Sequence, residues 1–491
     1  MMSIVLHPRA APGDRLRVWV GVFQERRLPE LTWELNGTGV VPRALRPIAS
    51  VRPADLLPSN EQPHEVERAF TGVYEFAGLE PDTTYVVTVH ADGRSETLAT
   101  QTLPVTLPRG FDRWFNVLLV SCFHQAEDRA GRVGQLVSQL RAGAKPDLTL
   151  LMGDQVYLDL PTLQNFPDDA AWMARKFEDD YIANWWGPPG YGHVLAAAPS
   201  VSIPDDHEYW NNFPNAATVA QNTWTAGGRD RWRRAAEAMY EGFQLPYPTG
   251  LGEAFILDVP PLSFFLADLR HGRSEGTARL MTNEGHEQLE EWVGRLIDRG
   301  WFGVFVSGQS LFAEAQGKLA GSLGDFQLSD YDDFPRMVLA LMRLTNGGRP
   351  FVCLTGDVHW GRVTEVADSR SGRTAIHEVI ASPASLVTVV GLDQVHRLRQ
   401  TLGGLFGRSQ PWPRHPRPQS PPNFFAREVL ASRLECRPPP LEYQQFGNHV
   451  AMLGFRQMGG GVDMRVMYYE IPLDGQFVPP RVLGPFALRA A

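Results

Sequence analysis

The chain has 491 residues, 43% of them hydrophobic and 21% charged, the composition of a folded protein long enough for more than one core. Its formal net charge of −9 argues against general nucleic-acid binding, which needs a basic surface. Three cysteines (Cys122, Cys353, Cys436) are too few for a disulfide framework, and no apolar run is long enough for a membrane-spanning helix. The first residues carry no basic stretch followed by an apolar one. Arg26-Arg27 precede Leu28-Pro29-Glu30 instead of an apolar run. The expected location is therefore cytoplasmic, or exported if a leader has been removed.

Residues 1–108 read as all-β. Apolar and polar residues alternate over 16–22 and 85–90, and Ala91-Asp92-Gly93 supplies a hairpin turn. The run Gly78-Leu79-Glu80-Pro81-Asp82-Thr83-Thr84-Tyr85 resembles the fibronectin type III signature, in which the tyrosine closes a corner at the start of a late strand. No cluster of ligand-type residues occurs in this region, so its expected role is packing or spacing.

Residues 103–110, Leu-Pro-Val-Thr-Leu-Pro-Arg-Gly, read as a linker to a second domain over 109–491. Apolar strand-like runs at 115–120, 148–152, 200–203, 304–306 and 351–354 alternate there with helical stretches at 131–143, 168–186, 230–243, 284–299 and 334–345. That alternation is α/β organisation, in which ligands bind beyond the carboxyl ends of the strands. The proline-rich stretch at 411–440, carrying Trp412, Phe424 and Phe425, reads as a wrapping loop or lid, placed at about 408–447. Residues 450–455 and 464–471 read as closing strands.

Four polar clusters follow apolar runs. They are Ser121-Cys122-Phe123-His124, Gly153-Asp154-Gln155-Val156-Tyr157-Leu158-Asp159, Asp205-Asp206-His207-Glu208 with Asn211-Asn212, and Gly356-Asp357-Val358-His359. Carboxylates converging at neighbouring strand ends raise one another's pKa unless a cation neutralises them. A thiolate, a phenolate and an imidazole (Cys122, Tyr157, His359) suit a transition metal, with ferric iron favoured. Three carboxylates (Asp154, Asp206, Asp357) suit a hard divalent ion, and Asp154 is placed to bridge both. Two cations about 3.5–4 Å apart are the usual arrangement for phosphoester hydrolysis. His207, beside a ligand, is placed to protonate the leaving oxygen. Asp205 reads either as part of this set or as a cap on the following turn.

These clusters, in this order, resemble the calcineurin-like metallophosphoesterases, and more closely their PhoD-like (alkaline phosphatase D type) branch. Phe265-Leu266-Ala267-Asp268-Leu269-Arg270 resembles that branch's Leu-Asp-x-Arg element, and Gln288-Leu289-Glu290-Glu291-Trp292 its downstream helix. The resemblance implies a four-layer α-β-β-α catalytic domain behind a fibronectin- or immunoglobulin-like sandwich. It implies Fe(III) held by Cys122, Asp154, Tyr157 and His359, and a divalent ion (calcium, magnesium, manganese or zinc) held by Asp154, Asp206 and Asp357. His207 would be the catalytic histidine and Arg270 a phosphate clamp, since a guanidinium fork matches phosphate oxygens. The implied activity is hydrolysis of phosphomonoesters or phosphodiesters by in-line attack of a metal-bound hydroxide. A nuclease or nucleotide phosphodiesterase, and an inactive partner-binding scaffold, are the alternatives. Two positions depart from the wider calcineurin-like pattern: Ser121-Cys122-Phe123 stands where Asp-x-His is common, and Ser307-Gly308-Gln309-Ser310 stands where a histidine is expected. Asn211, Asn212, Gln309 or water remain open as completing ligands.

Overall fold

The structure is a computed structural model describing residues 3–59, 66–111, 113–128, 130–161, 166–186, 191–218, 220–312, 325–359, 361–369, 371–386, 434–436, 443–445, 447–472 and 476–490. The expected lid lies outside the described residues except for 434–436, 443–445 and 447. Trp360, Trp412, Phe424 and Phe425 are also outside them.

The first hundred residues form β1 (Ser3–Arg9), β2 (Arg15–Glu25), β3 (Thr32–Leu35), β4 (Thr38–Val40), β5 (Arg43–Ser50), β6 (Arg68–Ala77), β7 (Thr84–Ala91) and β8 (Arg94–Gln101). The β7–β8 turn is the expected one. Asp92 and Gly93 both take positive φ, 46° and 77°, as a two-residue hairpin requires. Strands β1, β2, β5 and β6 share a buried cluster with β3, β7 and β8, built from Val18, Val20, Val22, Trp33, Phe70, Val87 and Val89.

Beyond these come β9 (Phe115–Val120), α1 (Arg132–Ser138), β10 (Leu148–Met152), α2 (Ala170–Trp186), α3 (Gly192–Ala197), β11 (Ser200–Ile203) and α4 (Ala226–Phe243). Next are β12 (Phe255–Val259), β13 (Leu262–Leu266), α5 (Asn283–Arg299), β14 (Phe302–Ser307), α6 (Phe334–Asn346), β15 (Phe351–Thr355), β16 (Gly361–Asp368) and β17 (Thr374–Ile380). The chain ends with β18 (Leu434–Cys436), β19 (Tyr443–Gln445), β20 (His449–Met458), β21 (Gly461–Glu470) and β22 (Arg481–Leu488).

Two large sheets result. One runs β22-β21-β20-β9-β10-β11-β1-β2-β6-β5, and the other runs β12-β13-β14-β15-β17-β16-β18, with β19 also on β16. Within them β9, β10 and β11 are mutually parallel, as are β13, β14, β15 and β17. Period-two alternation assigns the faces. Val117, Leu119, Leu150, Met152, Val304, Val306, Val352 and Leu354 share one core between the sheets. Leu118, Val120 and Leu151 turn to the opposite face, onto α2 and α4. Phe305, Phe351 and Cys353 turn onto α5 and α6, so Cys353 is a core residue as expected.

The first region is not set off from the rest. Arg9 of β1 pairs in parallel with Ser200 of β11, so one sheet runs through both regions. The expected linker is packed as well: Leu103 and Leu107 lie in the inter-sheet core, and Leu107 N donates to Pro260 O at 2.8 Å.

At this junction His7 is buried, stacked on Trp19, with Nε2 3.3 Å from the Trp185 carbonyl. Burial, with Arg9 nearby, pulls its pKa down to about 3. The unfolded chain therefore binds the extra proton between pH 6.5 and about 3. Stability on this account is full above pH 6.5 and falls as pH falls through that window. His7→Gln should remove about 2–3 kcal/mol of the destabilisation that develops between pH 6.5 and 4.5. Denaturant titrations of both proteins at the two pH values check this.

Candidate metal centre

The parallel strands of both sheets end at the same place, and the residues that follow them carry the polar clusters. Backbone bonds lock the strand ends together. Cys122 N donates to Gly153 O at 3.2 Å, Phe123 N to Asp154 O at 2.8 Å, and Gly356 N to Gly308 O at 2.9 Å. Five non-glycine residues here take left-handed φ: Cys122 at 53°, Asp154 at 56°, Asn212 at 68°, Asp357 at 56° and His359 at 57°. Such conformations cost about 1–3 kcal/mol each and gather where a side chain must be aimed.

Glycines make the close approach feasible. A Cβ on Gly153, whose φ is +87°, would stand 2.4 Å from the Asp205 Cβ. One on Gly308 would stand 2.8 Å from the Asp205 Cγ, and one on Gly356 2.2 Å from the Ser121 Oγ. The glycine of each Gly-Asp pair is thus fixed by what packs against it. The Asp205 side chain fills the space beside Gly308. Gly153→Ala combines a forbidden φ with a backbone-level clash. It should destabilise the chain by at least about 1–3 kcal/mol, read as a fall in the thermal midpoint.

Asp154 is central. Its Oδ2 is 3.4 Å from the Cys122 Sγ, and its Oδ1 accepts from His207 N at 3.3 Å. Ligand atoms of Asp154, Asp206 and His207 lie within 4.8 Å of one another, and so do those of Asp154, Asp205 and Asp357. Glu208 holds the frame from behind, accepting from the backbone N–H groups of Asp154 (2.9 Å), Gln155 (2.6 Å) and Asp205 (2.8 Å). Ser382 Oγ, 3.1 Å from the Cys122 Sγ, also accepts from His359 N at 3.3 Å. The Tyr157 hydroxyl is buried close to the Cys122 thiol, and its ring centroid is 4.4 Å from that of His207.

The electrostatics fit cations. Burial and neighbouring acids push the Asp154 and Asp357 carboxyls well above their ordinary range. Burial likewise drives up the Cys122 thiol and the Tyr157 phenol, with the Asp154 charge adding to both. Asp206 stays low because Arg270 and His207 outweigh its burial. Burial pulls His359 down to about 4, which leaves it neutral, the form that ligates a metal. A cation among these groups reverses the sign of their shifts and deprotonates a thiol or phenol. Thiol, phenol, imidazole and carboxylates together are a donor set that can hold metal ions.

His207 differs from His359. Burial opposes its charge, but Asp159, Asp206 and Asp154 together hold its pKa well above the ordinary value. Its Nδ1 is 2.8 Å from Asp159 Oδ1, and Asp159 Oδ2 accepts from Asn211 N at 2.9 Å. Nε2 is left as the ring's other proton-carrying position.

Cys122, Asp154, Tyr157, Asp206, His207, Asp357 and His359 are gathered at this one end of the sheets. Arg270 requires a correction. It is fully buried and not presented to a ligand. Its Nε donates to Asp205, its Nη1 and Nη2 to Asp325 at 3.1 and 2.6 Å, and its Nη1 also to Phe213 O at 3.3 Å. The fork that matches phosphate is taken by carboxylates. His271 is fixed between Asp268 and the Tyr209 hydroxyl. Sequence reasoning left out Asp325 altogether, and it left Asp205 open between the ligand set and a cap. Asp205 follows β11 directly, and that position was the one available signal.

No family model and no curated relative matches the chain. Among solved structures it is similar to PhoD, at a TM-score of 0.58 and 13% identity, covering 99% of this chain and 92% of that one. The chain has the PhoD fold. It is also similar to the purple acid phosphatase PPD1 from yellow lupin seeds, at a TM-score of 0.53 and 11% identity, covering 98% of this chain and 74% of the phosphatase. The PhoD likeness extends from the N-terminal strands through β22, a mixed α/β fold of several sheets. Among the described residues, no helix is long and apolar enough to cross a membrane.

Proposed function

We propose that the chain is a PhoD-like metallophosphoesterase that hydrolyses phosphomonoesters or phosphodiesters with two bound cations. The observation that carries this reading is the pair of ligand clusters sharing Asp154 at the parallel strand ends. Cys122, Tyr157, His359 and Asp154 would hold an iron-like ion. Asp154, Asp206 and Asp357 would hold a divalent one. Such ions supply Lewis-acid polarisation of a phosphoryl oxygen and a nucleophile at neutral pH.

The chain's own residues do the rest. Glu208 and the three glycines fix the carboxylates before substrate arrives, so little reorganisation is needed in the transition state. His207, whose Nδ1 is held 2.8 Å from Asp159 Oδ1, gives its proton to the leaving ester oxygen. The acidic chain favours small phosphoesters over nucleic-acid strands.

The catalytic unit is read as residues 109–491 in four layers, α-β-β-α, supported by one core between the sheets and two beneath helices. Residues 1–108 are read as a sandwich fused to it, supported by their separate core and by the Tyr85 hydroxyl accepting from Glu80 N at 2.9 Å. A panel of p-nitrophenyl phosphate, bis-(p-nitrophenyl) phosphate, nucleotides and single-stranded DNA tests the function. Turnover of the small esters is expected. Turnover of DNA alone makes the chain a nuclease, and no turnover with cations bound leaves the inactive scaffold.

A further inference from the structure

Asp205 is buried, with 1% of its surface exposed, yet among the described residues only one of its carboxylate oxygens meets a hydrogen-bond partner. Oδ1 accepts from Arg270 Nε, whereas among the described residues Oδ2 has no hydrogen-bond partner. A carboxylate oxygen left unpaired at this depth is costly unless a cation faces it. An oxygen of Asp205 lies within 4.8 Å of ligand atoms of both Asp154 and Asp357. Gly153 and Gly308 lack the Cβ atoms that would exclude this side chain.

Arg270 is itself held from the far side. Asp325 grips both its terminal nitrogens, and the Gln309 amide donates to Asp325. Arg273 lies 3.8 Å from Asp325 and stacks over Tyr331 at 4.9 Å, which steadies the carboxylate. Arg270 Nη2 is 3.7 Å from Asp206 Oδ1. One guanidinium is thus shared by Asp325 on one side and by the two acids after β11 on the other.

We propose that Asp205 is a cation ligand together with Asp154 and Asp357, and that Asp325 is a positioning residue acting on it through Arg270. The inference rests on the metal-centre reading above and not on any choice of substrate. Arg270 takes one oxygen of Asp205 and leaves the other facing the centre. Asp325 draws off part of the Arg270 charge that would otherwise fall on Asp205 and Asp206 and weaken both as donors. A partner that orients and tunes a ligand in this way is typically worth about 10- to 100-fold in metal affinity.

The test uses full-length wild type, Asp205→Asn, Asp325→Asn and Asp325→Glu. Each is stripped with chelator and titrated with Mn(II), with bound metal read by electron paramagnetic resonance. Wild type is expected to bind two Mn(II), and Asp205→Asn to lose one of them. Asp325→Asn should bind one Mn(II) about 10- to 100-fold more weakly. Asp325→Glu, which keeps the charge, should recover part of that loss. Thermal unfolding of the stripped proteins verifies folding, and Asp325→Glu carries the test if Asp325→Asn does not fold. Two Mn(II) bound at wild-type affinity by Asp205→Asn overturns the ligand assignment. Unchanged affinity in the folded Asp325 variants overturns the positioning role. Wild type that binds Mn(II) but turns over no phosphoester removes the proposed function and leaves this inference standing. Wild type that binds no Mn(II) removes both.

Discussion

In the Asp154→Asn variant, hydrolysis of bis-(p-nitrophenyl) phosphate is expected to fall to background. Asp154 is proposed as a ligand of both cations, so its loss weakens both positions at once. Asparagine keeps the shape and the acceptor oxygen that faces His207 N. The loss would therefore be one of charge and not of fold. A second result follows from the same electrostatics. Burial holds the Asp154 carboxyl well above its ordinary range in the metal-free chain. A raised folded pKa means that stability is lost as pH rises past the unfolded value. Metal-free Asp154→Asn should therefore unfold at a higher temperature than metal-free wild type at pH 7, while being inactive. That opposition between activity and stability is the mark of a strained functional site. A variant that is both inactive and less stable in the metal-free form would point to a structural role instead.

His207→Asn is expected to lower kcat by about 10²–10⁴ for esters with poor leaving groups, the usual worth of a positioned acid. The loss should be smaller for p-nitrophenyl esters, whose leaving group needs little protonation. Asp159→Asn should act in the same direction but less, because it acts through His207 Nδ1. It should also move the basic limb of the rate profile to lower pH, since Asp159 is the largest of the acids that hold the His207 proton. Equal losses on good and poor leaving groups would remove His207 as the acid.

The sheet strands that carry the site were legible because each is a short, largely apolar or alternating run followed by small or polar residues. The runs at 115–120, 148–152 and 200–203 coincide with β9, β10 and β11. The helix expected at 131–143 is shorter, Arg132–Ser138. Lys145 precedes a proline and is extended, and a single 3₁₀ turn at Ala142–Ala144 fills the remainder. Strands β16 and β17 went unread because buried polar residues (Thr364, Glu365, His377 and Glu378) interrupt their apolar pattern, and β12 went unread although its partner β13 is its neighbour in the chain.

The ligand-bearing turns were legible for a related reason: each lies directly after a readable strand. Arg270 was misjudged because a guanidinium fork suits carboxylates as well as phosphate, and residue type does not choose between them. Asp325 follows no apolar run and sits in no motif. Only its bond to Arg270 reveals it.

The central claim is that two cations at the strand ends make this chain a phosphoesterase. The most direct test is to strip the full-length protein with chelator, add metal back in known equivalents, and follow bound metal and bis-(p-nitrophenyl) phosphate hydrolysis together. The account predicts that hydrolysis is absent in the stripped protein, rises with occupancy, and reaches its plateau at two cations per chain. Full hydrolysis by the metal-free protein would contradict it, as would two bound cations with no hydrolysis of any phosphoester in the panel.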